Sequence, residues 1–125
     1  MEKVAYTDEF EGWYGTLHEN EQDSVIRAVK RLAELGVGLP FPYSSQIKGS
    51  KNALRELRIQ SKGQAIRVIY AFNPVRQSVL ILGGDKSGDH RFYTVMVPLA
   101  DKLWDTYIEE EAWLAEEPDD GADDE

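Results

Sequence analysis

Six residues between positions 58 and 93 carry the chemistry this sequence offers: Arg58, Arg67, Lys86, His90, Arg91 and Tyr93. Guanidinium groups grip phosphate in bidentate fashion and can stabilise the charge of a pentavalent phosphorane. An imidazole or a phenol can take the proton of a 2′-OH or return one to a 5′-leaving oxygen. Aromatic rings can stack a base splayed from its strand. Together these groups suit RNA. Because the 2′-OH is an internal nucleophile, the reaction needs no metal, and no cofactor is expected. Lys48, Lys51 and Arg55 are candidate substrate-binding residues beside this set.

Other chemistries lack their residues. There is no cysteine, and the two histidines, His18 and His90, are far apart in the chain, so a metal site has no clustered ligands. The segment 83–93 has neither the spacing nor the Gly-Lys-Ser/Thr ending of a phosphate-cradling loop. It also lacks the terminal glutamate of a calcium loop. No serine stands in a nucleophile elbow.

Three β-type runs must position the cationic set: 54–60, 65–72 and 78–82. Turn residues separate them, Ser61-Lys62-Gly63 and Asn73-Pro74. Breaks this short predict an antiparallel meander, since parallel strands need a long crossover. Alternation puts Leu57 and Ile59 on one face and Glu56 and Arg58 on the other. In the second run Ile66, Val68 and Tyr70 share a face opposite Arg67, Ile69 and Ala71. The third run is apolar throughout, as a strand buried on both sides would be. The sheet is therefore expected to have one apolar face and one on which Arg58 and Arg67 stand together, with Glu56 paired to a neighbouring arginine. Gly83 and Gly84 are expected to turn the backbone where the third strand ends, bringing segment 86–93 over the arginines.

Upstream, residues 2–6 read as a short strand. Thr7 can cap a helix carrying Phe10, Trp13, Tyr14 and Leu17 on one stripe. Asn20 can cap a second helix with Val25, Ile26, Val29, Leu32 and Ala33 inward, ended by Gly36. Residues 37–50 read as an irregular connection. A last helix spans 97–113, or starts near Arg91 and passes through Pro98. Residues 1–115 form one α+β domain, followed by an acidic tail, 116–125, expected to be disordered. Nothing reads as a membrane span or secretory signal, and a cytoplasmic location is expected.

The net charge of −9 is unevenly spread. Residues 109–125 hold ten of the 23 acids and no base, so the remaining 13 acids face 14 bases, a body of net charge +1. Whole-chain acidity therefore does not exclude a nucleic-acid partner. The tail reads as a solubility device, or as an RNA mimic that screens the cationic face.

The pieces Leu54-Arg55-Glu56-Leu57-Arg58, Gly63 and Ile66-Arg67-Val68-Ile69-Tyr70-Ala71-Phe72 are followed by an apolar strand, a lysine-containing loop and a helix. This pattern resembles the RelE/ParE superfamily, and within it the HigB-like toxins of type II toxin–antitoxin systems. Trp13, Leu17, the helix through Leu32, Gly36 and the proline loop leading to Ile47-Lys48-Gly49-Ser50 agree, so the resemblance covers residues 4–108. It implies a compact RelE-like fold, two N-terminal helices packed on a twisted antiparallel sheet with a C-terminal helix. It also implies ribosome-dependent, metal-independent cleavage of mRNA, inhibition of translation, and neutralisation by a helix-turn-helix antitoxin. Arg58 and Arg67 occupy the family's basic strand positions, and the segment 86–93 occupies the region of its further basic residues and a His or Tyr. HigB-like toxins often show adjacent lysines after the last strand. Here Gly83-Gly84-Asp85-Lys86 and Asp89-His90-Arg91 stand there, which leaves the acid–base residue open. The alternative is a non-catalytic ParE-like toxin or binding module that acts on a topoisomerase or an antitoxin.

Overall fold

Short breaks fold the strand-rich stretch into the expected meander in the computed structural model, which describes residues 4–111. Its strands are β3 (Arg55–Ser61), β4 (Gln64–Phe72) and β5 (Ser78–Asp85). Lys62 and Gly63, with φ of 50° and 84°, form the two-residue turn between β3 and β4. That left-handed backbone matches the twist of the flanking strands. Asn73 closes the next turn, its Oδ1 accepting from the amides of Val75 at 3.1 Å and Gln77 at 2.9 Å.

Two short strands complete the sheet, β1 (Ala5–Tyr6) and β2 (Ser44–Gln46), in the order β1-β5-β4-β3-β2. The sheet is mixed rather than wholly antiparallel, because β1 pairs parallel with β5. Thr7 fixes that edge and starts the first helix together. Its Oγ1 donates to the Ile81 carbonyl at 2.6 Å and accepts from the Phe10 amide at 3.0 Å. β2 falls inside the stretch read as irregular. Three polar residues, Ser-Ser-Gln, carry no alternation, and only pairing with β3 makes them a strand.

The helices are α1 (Asp8–Tyr14), α2 (Glu19–Leu35) and α3 (Phe92–Glu110). His18, not Asn20, stands at the N-cap of α2, where the Glu21 carboxylate accepts its amide at 3.0 Å. Leu17 lies beyond the end of α1. Of the two expected starts for the last helix, the earlier holds, and Pro98 lies inside it.

Both sheet faces carry a core, which corrects the expectation of a single apolar face. Helices α1 and α2 set Phe10, Val25 and Leu32 against Leu57, Val68 and Tyr70. On the other face α3 sets Val97, Ala100 and Trp104 against Ile69, Ala71 and Val79. A register shift in the β4–β5 ladder between Ile69 and Tyr70 lets Ile81 and Leu82 both enter the α3 core. Gly83 and Gly84 lie within β5 and are not a turn. They are glycine for lack of room. A Cβ on Gly83 would collide with the Trp13 ring, and one on Gly84 would sit 2.9 Å from the Phe92 ring.

Candidate active site

Strand pairing sets Arg58 directly opposite Arg67, so their side chains share the α3 face of the sheet. Glu56, two residues before Arg58, points the same way and organises the cluster. Its Oε1 accepts from the Tyr93 hydroxyl at 2.7 Å and lies 3.7 Å from Arg67 Nε. Its Oε2 accepts from Ser45 Oγ at 2.9 Å and lies 3.8 Å from Arg58 Nη1. One carboxylate against two guanidiniums leaves a positive site.

The two arginines are not equivalent. Arg67 is only 5% exposed; its Nη1 donates to the Ile66 carbonyl at 3.1 Å, and its Nε is buried with no hydrogen-bond partner. Arg58 keeps a third of its side chain exposed and lies over the Phe41 ring, 5.2 Å from its centroid. A phosphate can reach Arg58 from solvent, while Arg67 supplies charge from beneath.

Tyr93 projects from the first turn of α3 and is 37% exposed. Burial and the Glu56 carboxylate hold its hydroxyl above the ordinary phenol range, with Arg67 pulling weakly the other way. At neutral pH it is a proton donor already aligned with an acceptor. Its first helical turn also meets a groove of about 610 Å³ between α3 and the segment before β3, lined by Lys48, Lys51 and Lys102. Asp101 pins that segment, accepting from Ser50 Oγ at 2.6 Å, Asn52 Nδ2 at 3.0 Å and the Lys51 amide at 3.2 Å. A second groove, on the Arg58 side, lies between α2 and the open edge of β3.

The structure thus brings together Arg58, Arg67 and Tyr93. Lys86 stands at the rim, its Nζ 5.9 Å from the Tyr93 ring centroid. His90 and Arg91 are exposed in the turn before α3, and among the described residues neither side chain is bonded to the Glu56 cluster. Lys48 is exposed on the first groove. Lys51 is ion-paired to Asp105 at 2.6 Å. Arg55 lies on the opposite face, donating from Nε to Ser44 Oγ at 3.1 Å. Sequence reasoning placed Glu56 on the arginine face but missed its central position. Ser45 and Phe41 left no signal, because the strand that carries the one and the cation contact of the other depend on pairing.

A family model described as phage-derived protein Gp49-like (DUF891) matches residues 13–105, well over half of the chain. The chain belongs to the Gp49-like family. Among curated proteins the Gp49-like chain is similar to HigB3 of Mycobacterium tuberculosis, a candidate toxin by name, at 35% identity over 116 residues, 91% of this chain and 95% of that protein. It is also similar to HigB2 of the same organism, again a candidate toxin by name, at 27% identity over 108 residues, 84% of this chain. It spans about half, 54%, of that second relative. The HigB-like resemblance read from the strand motifs is therefore borne out, and the family match contains Glu56, Arg58, Arg67 and Tyr93.

Proposed function

We propose that this Gp49-like chain is the toxin of a type II toxin–antitoxin system and cleaves ribosome-bound mRNA without a metal. The observation that carries the reading is the Arg58–Arg67 cross-strand pair joined through Glu56 to the Tyr93 hydroxyl. The 2′-oxygen attacks the adjacent phosphorus, its proton passes to water, and the bond to the 5′-oxygen breaks. A 2′,3′-cyclic phosphate and a 5′-hydroxyl result. Arg58 holds the phosphate, Arg67 stabilises the phosphorane charge, and Tyr93 protonates the 5′-oxygen. Lys86, His90 and Arg91, on the rim and the turn leading to Tyr93, bind the flanking strand, and Lys48 lies along its path. The toxin names of the HigB-like relatives support an antitoxin partner; a RelE-like arrangement, a helix-turn-helix antitoxin and a cytoplasmic site of action complete the proposal. Among the described residues no helix is long and apolar enough to cross a membrane.

One observation favours the non-catalytic alternative: Arg67 is buried against Glu56, as a purely structural ion pair would be. Induction in cells followed by primer-extension mapping of messages separates the two. The nuclease reading expects discrete 5′ ends that vanish with Arg58→Ala and with Tyr93→Phe while antitoxin binding persists. Intact messages during growth arrest would overturn it, and inhibited gyrase supercoiling would then select the ParE-like reading.

A further inference from the structure

The β2–β3 pairing ends at the Ser44–Leu57 register pair, one further backbone bond runs from the Arg58 amide to the Tyr43 carbonyl at 3.0 Å, and beyond it the edge of β3 is open. A groove of about 360 Å³ runs along that edge, walled on the far side by α2. Four arginines line it, Arg27, Arg31, Arg58 and Arg67, with no aspartate or glutamate. Arg27 is exposed and donates to Ser24 Oγ at 3.2 Å. Arg31 lies over the ring of Tyr43, 4.2 Å from its centroid. Among the described residues neither Arg27 nor Arg31 has an ion-pair partner. Beside them Phe41 is 69% exposed, with the Arg58 guanidinium on its ring. Arg67 is buried with its Nε 3.7 Å from Glu56 Oε1, so the free cationic capacity of the groove lies with Arg27 and Arg31.

We infer that this groove is a second RNA subsite, in which Arg27 and Arg31 hold backbone phosphates and Phe41 stacks an unpaired base. The inference rests on the nuclease reading for its substrate, and it names where the strand goes on leaving the scissile phosphate. Arg58 belongs to both places, so one strand passes from the Tyr93 cluster into a groove whose lining holds no aspartate or glutamate. Arg27 and Arg31, without ion-pair partners among the described residues, attract any polyanion. An exposed ring with a guanidinium on it selects single-stranded nucleic acid, because every base offers a face to stack on. An acidic protein segment would use the arginines and leave Phe41 idle.

The test is fluorescence anisotropy with the full chain and a short single-stranded RNA, 2′-O-methylated so that it cannot be cleaved. Arg27→Gln with Arg31→Gln should weaken binding about tenfold or more and flatten its salt dependence by roughly 0.7 in log–log slope per lost phosphate contact. Phe41→Ala should weaken binding about fivefold or more with the salt slope unchanged. Thermal unfolding of the variants serves as the folding control, since Arg27 and Phe41 are exposed. If these variants bind RNA as the parent does, the inference is overturned. It is equally overturned if they lose only antitoxin binding, which would assign the groove to an acidic protein partner. Loss of RNA binding in a chain that cleaves no message would uphold the subsite and reject the nuclease reading. Full binding in a chain that cleaves through Arg58 and Tyr93 would do the reverse.

Discussion

Glu56 holds two arginines and a phenol at once, so its replacements separate structure from catalysis. Glu56→Leu leaves Arg67 buried and uncompensated, and the expected loss is about 3–5 kcal/mol of stability, read from the urea midpoint. Glu56→Gln keeps an acceptor for Tyr93 and should cost clearly less; equal losses would deny that charge pairing matters here. Tyr93→Phe should cost about 1 kcal/mol and most of the cleavage activity. The Tyr93 hydroxyl titrates above its ordinary value of about 10. Its bond to Glu56 is therefore fully present below that pH and is lost only as the pH rises through the higher folded value. Ultraviolet difference titration of the parent against Tyr93→Phe should show the Tyr93 phenol ionising late, and Glu56→Gln should bring it earlier. The Lys51–Asp105 pair lies at the surface, with the lysine raised and the aspartate lowered, each chiefly by its bond to the other. It persists from below the ordinary carboxylate range to above the ordinary lysine range and contributes little at moderate salt.

At the level of elements, Gly83→Ala tests why β5 carries two glycines before its last residue. The added methyl meets the Trp13 ring, and the expected cost is about 1–3 kcal/mol, measured by chemical denaturation. Trp13→Leu in the same chain should recover part of it, and a neutral Gly83→Ala would show that α1 sits loosely. These glycines also mark where reading a sequence stops. The meander was legible because its turns and alternation are local signals, and so was the shared face of Arg58 and Arg67. Gly83 and Gly84 were read as a turn because glycine in a sequence announces freedom, whereas here it reports a ring from another element. The parallel pairing of β1 and the existence of β2 were hidden for the same reason: two or three residues carry no period, and only distant partners define them. Pro98 left the start of α3 ambiguous, because both expected starts tolerate it.

Over the whole molecule, charge is divided between a near-neutral body and an acidic C-terminal stretch. The expected tail, 116–125, lies outside the described residues, but its seven carboxylates act through sequence alone. Truncation after Ala115 should raise RNA affinity, most strongly at low salt, in the same anisotropy assay. Unchanged affinity would leave the tail a solubility device. The paired glycines have one more consequence. At that spot neither surface of the sheet bears a side chain, and an aromatic ring rests on each. Trp13 and Phe92 are thus parted by a wall one backbone thick, and Phe92 abuts Tyr93 edge-on at 5.1 Å. A ligand that tilts the phenol is therefore expected to disturb the indole on the far side of this partition, on the N-terminal helix.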